Sequence, residues 1–541
     1  MERQHKEISI AEFFEKNRHL LGFDSPTKAL LTTVKEAVDN SLDACEEAKI
    51  LPEIVIQIYE VDKSKKRYRI VVEDNGPGIE KEKVSKALGK LLYGSKFHRL
   101  KQSRGQQGIG ISACILYAQL TTAKESIITS KTKDMKKAYF CKLKINTKKN
   151  EPEIIYEEEK DWDKESGLRI ELELEGDYGR SARAIESYLK YTAIANPHAT
   201  IIYITPEFEQ KIFARGSEQL PREAKEILPH PHGVELGKFI EMIKESNHSN
   251  LIQFLTNSFS RVGEKTAKEI CEKAKIDLNK VPKELEPYEI EKLYKTIQET
   301  QIMAPSGDCL SPIGEEILEK GLRKEIPAEF FVTVTRNPAV YRGNPFIIEV
   351  GLAYGGGLPN EEVTIIRFAN RVPLLFQKGA CAITRAISEI NWNNYGISQP
   401  KGSLPIAPLV IVVHIASVWV PYTSEAKEAI AHYPEIISEI KKALQQAARK
   451  LAIYVKKKSY IYDQIKKKEY IEHYLDSFSD ALCKILDLKN ESEKESIKLK
   501  LKEILEKIKP VEEDLPESPE YTQKVEIIDE IEDFEKEDET E

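Results

Sequence analysis

Three observations in the sequence predict an α+β protein of several domains. Helical periodicity and strand-like runs alternate over residues 26–208, strand signals vanish over 234–303, and strands return after Gly307 before a charged helical end. At ~150 residues per domain, the 541 residues correspond to three or four domains. Hydrophobic residues make up 41% and charged residues 31%, so the chain can bury real cores beneath a heavily solvated surface.

The charge of the chain is unevenly distributed. The formal net charge is −8, but residues 511–541 hold fifteen acidic residues and two lysines, which leaves +5 for the rest. A mildly basic body permits a nucleic-acid partner. The acidic tail cannot bury enough apolar surface to fold alone, so we expect it to be disordered. It acts either as a solubilising end or as a DNA mimic that limits non-specific binding.

Composition also excludes several classes of protein. The seven cysteines are odd in number and lack CxxC spacing, which argues against a disulfide framework or a cysteine zinc site. The charged first twenty residues lack the apolar segment of a signal peptide. The apolar run at 404–421 is interrupted by Pro408 and His414 and is rich in Val and Ile, so we predict a buried strand and no membrane span. A cytoplasmic protein is expected.

The first strong element is a helix over residues 26–48, with Ser25 as its N-cap and Pro26 in its first turn. Two strands, 53–61 and 68–74, follow on either side of a charged turn. Gly-rich segments, the helical string ISACILYAQL and further strands complete this part, which favours helices layered on a largely antiparallel sheet.

A linker is expected at 228–233, in the string LPHPHG. Its histidines, His230 and His232, have no companion at metal-ligand spacing, so we interpret them as structural. Helices alone are predicted over 234–303. Strands are then expected at 330–336, 346–356, 362–374 and 409–420, helices near 379–390 and from 424 to about 458, and charged helix to about 509.

Glu36 and Asn40 are the first candidate functional residues. At i and i+4 they share one face of the first long helix, with Asp43 one turn on. An amide oxygen can coordinate Mg²⁺, and a carboxylate can accept a proton from an attacking water. The competing interpretation is a solvated helix face, which the pair alone does not exclude.

Two glycine-containing strings follow at spacings of about forty and thirty residues. In VVEDNGPGI, Asp74 ends a strand, and Gly76 and Gly78 permit close approach of the backbone to a ligand, although an ordinary Asp-Asn-Gly turn has the same composition. In RGQQGIGISA, glycines precede a helix whose first N–H groups can hold phosphates. The GxxxxGK[ST] string of P-loop proteins is absent, and no simple strand precedes the glycines, so a Rossmann fold is excluded.

The three strings in this order resemble the GHKL (Bergerat) ATP-binding fold, an α/β sandwich shared by gyrase, heat-shock chaperones, MutL and histidine kinases. The resemblance implies that Glu36 is the general base, Asn40 the Mg²⁺ ligand and Asp74 the carboxylate that recognises the adenine amino group. It further implies that backbone at Gly76 and Gly78 passes the base and that a lid holds the phosphates. The implied lid residues are Gly105, Gln106, Gln107, Gly108, Ile109, Gly110, Ile111 and Ser112, helped by Ser95 and Lys96.

The rest of the chain indicates which family within the GHKL superfamily the sequence resembles. Only 35 residues precede Glu36, too few for a phosphoacceptor helix, and no acidic cleavage module follows. The string SFSRVGEKTAKEICEKA resembles a helix–two-turn–helix domain. The strings RNPAVYRGNPFIIEVGLAYGG, FANRVPLLF and PYTSEAKEAIA resemble the transducer of the B subunit of archaeal DNA topoisomerase VI, over roughly residues 8–455 in all.

This family resemblance implies one more site residue and a set of partners. Lys427, in TSEAKEAIA, stands where the transducer lysine of the family reaches the γ-phosphate of ATP; without the resemblance it would be a solvated lysine in the first turn of a helix. The implied function is that of an ATP-hydrolysing B subunit that dimerises, binds double-stranded DNA and works with a DNA-cleaving A subunit in a heterotetramer of two A and two B subunits. The alternatives are a MutL- or chaperone-like ATPase clamp and a non-enzymatic DNA-binding scaffold.

The implied domains are a GHKL domain at 1–228, a helix–two-turn–helix domain at 229–306, a transducer at 307–470, and a charged helical extension with the acidic tail at 471–541. Ten Lys or Arg residues against two acids at 441–470 suggest either a solvated helix face or a stalk that contacts DNA or the DNA-cleaving partner.

The chain departs from the family pattern at three places. Ser112 stands where relatives commonly have lysine, and Leu168 where they often have threonine, so two nucleotide contacts are in doubt. In the loop WNNY, Asn393 replaces the lysine of an element proposed to touch DNA, and Trp392 and Tyr395 are either DNA contacts or packing residues.

Overall fold

A computed structural model of the chain describes residues 8–94, 100–105, 108–424, 427–486 and 491–507. Two compact units emerge from its contacts. The first consists of the described residues up to Ile390 together with Pro400–Leu444, and the second of Asn391–Gln399 together with the described residues from Gln445 onward.

The N-terminal part of the first unit, which we call the N-terminal module (described residues of 8–213), is a mixed sheet with helices packed on it. Its helices are α1 (Ile10–Lys16), α2 (Pro26–Glu47), α3 (Lys81–Gly89), α4 (Gly110–Thr122) and α5 (Tyr178–Ala195). Its strands are β1 (Glu53–Asp62), β2 (Arg67–Glu73), β3 (Ser126–Lys131), β4 (Ala138–Asn146), β5 (Glu151–Lys160), β6 (Gly167–Glu175), β7 (Thr200–Ile204) and β8 (Gln210–Phe213).

The eight strands follow the order β5-β4-β3-β6-β2-β1-β7-β8. The pair β1–β7 is parallel and the other neighbouring pairs are antiparallel, so the largely antiparallel sheet predicted from sequence is confirmed. Alternate residues of β1 are buried, because one face of the sheet packs against helices α2, α4 and α5 in a single apolar core. The layered α+β class is therefore correct.

Helix α2 is the element on which the candidate residues lie. Ser25 caps it by accepting the Lys28 N–H at 3.3 Å, and Pro26 occupies the first turn, as the sequence predicts. Apolar residues at helical spacing, including Leu30, Val34 and Val38, are fully buried, so the helix is fixed against the sheet by one face and presents the other face to a cavity.

The helical module (residues 231–303) has its own apolar core, built around buried aromatic and aliphatic side chains. Its helices are α6 (Leu236–Glu245), α7 (Leu251–Ser258), α8 (Glu264–Ala274) and α9 (Pro287–Glu299). His230 and His232 bind its last helix and the segment after it, because their Nε2 atoms lie 3.1 Å from the Met303 carbonyl and 3.0 Å from the Ile297 carbonyl. The structural interpretation of both histidines agrees with these contacts.

The C-terminal module (residues 305–390 and 400–444) contains a second mixed sheet. Its elements are α10 (Glu315–Glu325), β9 (Phe330–Thr335), β10 (Ala339–Tyr341), β11 (Asn344–Tyr354), β12 (Glu361–Glu362), β13 (Thr364–Ala369), β14 (Val372–Pro373), α11 (Ala382–Glu389), β15 (Ile406–Ala407) and β16 (Leu409–Ser417). The sheet order is β10-β11-β16-β13-β14, with β9 also on β11. Every residue of β16 is buried, which confirms the buried strand predicted for the longest apolar run.

The last long helix differs from its predicted bounds. Helix α12 (Pro434–Ile485) begins ten residues later than expected and runs far beyond residue 458, followed by α13 (Glu491–Lys507). The described residues 427–433 before Pro434 are not helical, since Tyr422 bridges Ile430 and Lys427 has a left-handed φ of +53°. A proline is tolerated in a first helical turn but not in the interior, so Pro434 marks the start. The acidic tail lies outside the described residues.

A buried ion-pair network joins α2 to the segment that precedes α4. The Arg104 guanidinium donates to Asp43 Oδ1 at 2.8 Å and to both carboxylate oxygens of Glu46 at 2.6 and 2.8 Å. Burial alone would lower the pKa of Arg104, but the two carboxylates raise it, and Arg104 in turn holds the pKa of Glu46 well below its usual range. His198 Nε2 donates to Glu46 at 2.8 Å.

A second buried pair lies within the C-terminal module. His414 Nδ1 is 2.7 Å from Glu349 Oε2, and both side chains are fully buried. The Arg371 N–H donates to His414 Nε2 at 3.0 Å, so that nitrogen is an acceptor and Nδ1 carries the proton. Glu349 also accepts the N–H groups of Ile313 and Gly314 at 2.7 Å and thereby fixes the start of α10 to the sheet.

Among the residues that the structure describes, no helix combines the length and the apolar character needed to cross a membrane.

Replacing Arg104 by methionine should destabilise the first unit by about 3–5 kcal/mol at pH 7, because the buried Asp43 and the partly buried Glu46 lose their counter-charge. The pKa of Glu46 is depressed in the folded state, so its pairing stabilises the fold above the unfolded pKa of about 4.5 and this contribution is lost as the pH falls. The deficit of Arg104→Met, measured by urea unfolding, should therefore shrink at acid pH.

Lys268→Met is the matched control, since it breaks an exposed pair with Glu264 on α8 and should leave the unfolding transition unchanged. A deficit for Arg104→Met that is small, or that is equal at pH 7 and pH 4, would contradict the assigned role.

Candidate functional site

A cavity of about 1030 Å³ opens between α2, α3, α4 and the ends of β2 and β6. The predicted site residues that line it are Glu36, Asn40, Asp74, Gly78, Gly105, Gly108, Ile109, Gly110, Ile111, Ser112 and Lys427. Gly76 is placed behind Asp74 instead, with its N–H donated to Asp74 Oδ1 at 2.9 Å. The predicted contacts Ser95, Lys96, Gln106 and Gln107 lie outside the described residues.

Asp74 lies at the end of β2 and is 3% exposed. Its Oδ2 accepts the Ser41 hydroxyl at 2.7 Å, and its Oδ1 accepts the N–H groups of Gly76 and Leu168 at 2.9 and 3.1 Å. Burial raises the pKa of the Asp74 carboxyl, and these hydrogen bonds oppose the rise. The network aims one oriented, buried acceptor into an otherwise apolar end of the cavity, where Ile79 and Ile170 are neighbours.

Gly78 is required by the turn itself. Its φ is +70°, and a Cβ at this position would lie 2.1 Å from the Lys131 carbonyl oxygen. The glycine therefore lets two backbone segments meet at the rim of the cavity.

The first turn of α4 forms the opposite end of the cavity. No side chain among the described residues caps this helix at its N-cap, Ile109, so its first N–H groups are directed at the cavity without a side-chain acceptor. Glu36 lies against this turn, since a Cβ on Gly110 would be only 1.9 Å from Glu36 Oε2. Glycine at 110 thus allows the carboxylate of α2 to reach the positive end of α4.

Asn40 lies one helical turn beyond Glu36 and lines the same cavity. Its Oδ1 faces the glycine-rich segment, at 3.9 Å from the position of a Cβ on Gly105. Asp43, expected on the same face, does not line the cavity; it is buried and pairs with Arg104 instead.

Lys427 reaches the cavity from the C-terminal module. Its Nζ donates to the Arg104 carbonyl at 3.1 Å, across 323 residues of sequence. Because residue 427 precedes α12 by seven positions and has a left-handed backbone, the alternative of a solvated first-turn lysine is wrong.

The structure adds functional candidates that the sequence reasoning missed. Ser41 donates its hydroxyl to Asp74. The sequence could have indicated this residue, because Ser41 follows Asn40 on the helix that lines the cavity. Leu168 contributes a backbone N–H in place of a threonine hydroxyl, so its side-chain identity matters less than expected. The Ser112 hydroxyl donates to the Lys90 carbonyl at 3.1 Å, which anchors α4 to the end of α3.

Two further sequence motifs lie outside the cavity. In the second unit, Trp392 and Tyr395 are buried and pack edge to face with ring centroids 6.3 Å apart, which favours the packing interpretation of the WNNY loop. The side chains of Lys456–Lys458 on α12 are exposed, which agrees with a solvated basic face. No group of three or more His, Cys, Asp or Glu side chains that could hold a metal ion occurs within the described part of the chain.

Comparisons with known proteins match two parts of this chain to family models, one near each end. Residues 28–169 match the family model of histidine kinase-, DNA gyrase B- and HSP90-like ATPases, and residues 305–467 match that of the topoisomerase VI B subunit transducer. The first match spans Glu36, Asn40 and Asp74, and the second spans Lys427.

Curated relatives agree with both family models. The chain is 49% identical over 488 residues to the B subunit of type 2 DNA topoisomerase 6 from Archaeoglobus fulgidus, covering 90% of this chain and 81% of that one. It is 40% identical over 532 residues to the protein of the same name from Pyrococcus horikoshii, covering 89% of this chain and 92% of that one. The cavity is lined by a lysine from the C-terminal module, which lies within the second family match. These matches show that the chain belongs to the family of the B subunits of type 2 DNA topoisomerase 6.

Proposed function

We propose that this chain binds and hydrolyses ATP to operate the DNA gate of a type II topoisomerase. ATP binding brings two copies together, hydrolysis lets them separate, and the C-terminal module relays the change to a separate A subunit that cleaves double-stranded DNA. The observation that carries the proposal is that Lys427 lines the same cavity as Glu36, Asn40 and Asp74. The assembly proposed for this cycle is a heterotetramer of two A and two B subunits.

The adenine is proposed to bind at the Asp74 end of the cavity. Asp74 Oδ2 accepts the Ser41 hydroxyl and retains a further lone pair for the exocyclic amine. Val72, Ile79 and Ile170 supply apolar surface for the faces of the base. A buried acceptor among apolar walls is selective, because a base that offers a carbonyl at this position leaves the carboxylate unsatisfied.

The phosphates are proposed to bind at the first turn of α4, where N–H groups and the helix dipole favour an anion. Gly105 and Gly108–Ser112 line the cavity, which supports the proposal that their backbone contacts the phosphates. Ser95, Lys96, Gln106 and Gln107 belong to the same proposed lid. Lys427 adds the positive charge that stabilises the transferred phosphoryl group.

Mg²⁺ is proposed to bind through Asn40. The donor set fits this ion, because Mg²⁺ takes one or two protein oxygens together with phosphate oxygens and water, and the Asn40 amide faces the lid across the cavity. When bound, the ion neutralises charge on the phosphates. Glu36 lines the same cavity one turn away, which supports the proposal that it accepts the proton of the attacking water.

The alternative of a MutL- or chaperone-like ATPase clamp is not favoured, because the match over residues 305–467 is to the topoisomerase VI transducer. We propose domain limits at 1–228, 229–306, 307–470 and 471–541, and activity in the cytoplasm, where the seven unpaired cysteines remain reduced.

The proposal is tested with supercoiled plasmid. Relaxation is expected only when the chain, ATP and the A subunit of the same family are all present. ATP-independent relaxation, or ATPase activity that responds neither to DNA nor to the A subunit, would contradict it.

Replacing Glu36 by alanine should preserve ATP binding and dimerisation and lower the hydrolysis rate by about 10²–10⁴, because the general base is lost. Glu36→Gln keeps the shape that lies against Gly110 and should show the same defect. An ATPase rate within a few-fold of wild type for either variant would remove Glu36 from the mechanism.

Asp74→Asn should weaken recognition of adenine without disturbing the fold. The asparagine Oδ1 can still accept from Gly76 and Leu168, and the Ser41 hydroxyl can rotate to accept from the new amide, but that amide cannot accept from the adenine amine. The ratio of ATP to GTP affinity, measured by calorimetry, should fall about tenfold. An unchanged ratio would assign Asp74 to the turn alone.

Lys427→Ala should slow hydrolysis and strand passage while ADP affinity stays nearly unchanged. The ammonium distinguishes ATP from ADP through the terminal phosphate, and a ligand shifts an equilibrium only through such a difference. Dimerisation in a non-hydrolysable analogue should survive. Normal hydrolysis and relaxation in the presence of the A subunit would show that the contact with Arg104 is structural only.

A further inference from the structure

An ion pair connects the start of α2 to the residue that follows Lys427. Lys28 Nζ lies 2.9 Å from Glu428 Oε1, across 400 residues of sequence. The Glu428 side chain is 8% exposed and that of Lys28 is 29% exposed, so the pair is shielded from solvent more than a surface pair is.

Further contacts hold both partners in place. Glu428 Oε2 accepts the Gln377 amide at 2.5 Å, and Lys28 Nζ also lies 3.1 Å from Asp24 and 5.3 Å from the centre of the Phe376 ring. Gln377 and Phe376 follow β14 of the C-terminal module. The pair therefore binds α2 to two separate segments of that module.

The backbone at Lys427 needs such an anchor. A left-handed φ of +53° is unfavourable for a lysine and persists only where the surroundings hold it. On the far side, the Thr423 N–H donates to the Ala429 carbonyl at 2.9 Å, and the Ala382 N–H of α11 donates to the Ile430 carbonyl at 2.9 Å. Among the described residues of the loop, Glu428 forms an ion pair with α2, the helix that carries Glu36.

The contacts form a closed circuit around the cavity. Helix α2 binds Glu428 through Lys28, Lys427 binds the Arg104 carbonyl, and the Arg104 guanidinium returns to Asp43 and Glu46 of α2. Glu36 and Asn40 lie on α2 between the two attachment points. Breaking the ion pair between Lys28 and Glu428 should release the loop at Lys427 from α2, while the other end of α2 stays paired with Arg104.

We propose that Glu428 is a positioning residue for ATP hydrolysis, which acts by pairing with Lys28 and thereby holding Lys427 at the phosphate end of the cavity. This inference rests on the function proposed above for Lys427. A small cavity of about 50 Å³ lies directly behind the site and is lined by Lys28, Glu36, Lys427 and Glu428 among others. The pair thus touches the same space as the proposed general base, and the test must separate an effect on Lys427 from an effect on Glu36.

The test compares Lys28→Met and Glu428→Gln, which remove one charge each and keep side-chain length, in steady-state ATPase assays that contain DNA and the A subunit. Each should lower kcat about tenfold and leave KM and ADP affinity within about twofold, since positioning of Lys427 matters only for the transferred phosphoryl group. The double variant should resemble either single variant, because both remove one interaction. Lys28→Arg, which keeps the charge, should recover most of the rate.

The decisive measurement repeats Lys28→Met in the Lys427→Ala background, where it should have no further effect on kcat. A further tenfold loss there would show that the pair acts through Glu36 or α2 and would overturn the inference. A normal kcat for Lys28→Met when Lys427→Ala alone is slow would also overturn it while leaving the proposed function intact. A normal kcat for Lys427→Ala alone would contradict the proposed function first.

Lys66→Met is the matched control, because it also removes a lysine that forms an ion pair with a residue far away in the sequence. Lys66 pairs with Asp177 at 3.1 Å and does not line the cavity. It should leave kcat unchanged.

The unfolding midpoints of Lys28→Met and Glu428→Gln separate a loss of rate from a loss of fold. Midpoints within a few degrees of wild type would show that the fold is intact. A midpoint lowered in parallel with ADP affinity would assign the pair a structural role and overturn the inference.

Discussion

The arrangement of the whole site depends on the burial of one guanidinium, that of Arg104. It is 5% exposed and faces two carboxylates from consecutive turns of α2, Asp43 and Glu46, together with the amide oxygen of Asn196. A charge removed from water is tolerated only if counter-charges and hydrogen bonds replace its hydration. The geometry that pairs both terminal nitrogens of Arg104 therefore fixes the segment before α4 against α2, and with it the distance between Glu36 and the first turn of α4.

The same segment, residues 102–104, is also bound to the C-terminal module, so both modules hold it. The Gln102 N–H donates to the Cys309 carbonyl at 3.0 Å, its side chain exchanges two hydrogen bonds with Ser311, and the Asn370 amide donates to the Ser103 carbonyl at 3.0 Å. A displacement of residues 102–104 cannot occur without breaking contacts on the far side. Residues 102–104 are thus held by discrete contacts with both modules, so a change in this segment acts on both of them.

Local signals explain what the sequence predicts well. Ser25 and Pro26 define the start of α2, and the position of Asp74 after a run of β-branched residues predicts a carboxylate at a strand end. These features depend on neighbours within a few residues, where propensity and capping act. The glycine-rich string likewise predicts the start of α4, although the steric reason for Gly110, the Glu36 carboxylate, is a contact across 74 positions.

What the sequence does not predict depends on partners far along the chain. Nothing local distinguishes Arg104 from a phosphate ligand in a basic, glycine-rich loop, or Asp43 from Asn40 on the helix face, because their roles are decided by each other. The start of α12 is misplaced for the same reason: TSEAKEAIA is a good helical string, but its described residues are not helical. Glu428 contacts Lys28 and Gln377 instead, and Ile430 contacts α11.

The conflict between local propensity and tertiary contact at Lys427 is itself informative about function. A lysine in a regular helix would keep its position whether or not the N-terminal module is docked, whereas a lysine held in a left-handed loop keeps it only while its anchors are made. Its ammonium can thus complete the cavity only when the two modules are docked together. If hydrolysis uses this lysine, as proposed above, the consumption of ATP depends on the docking of the C-terminal module against the N-terminal module.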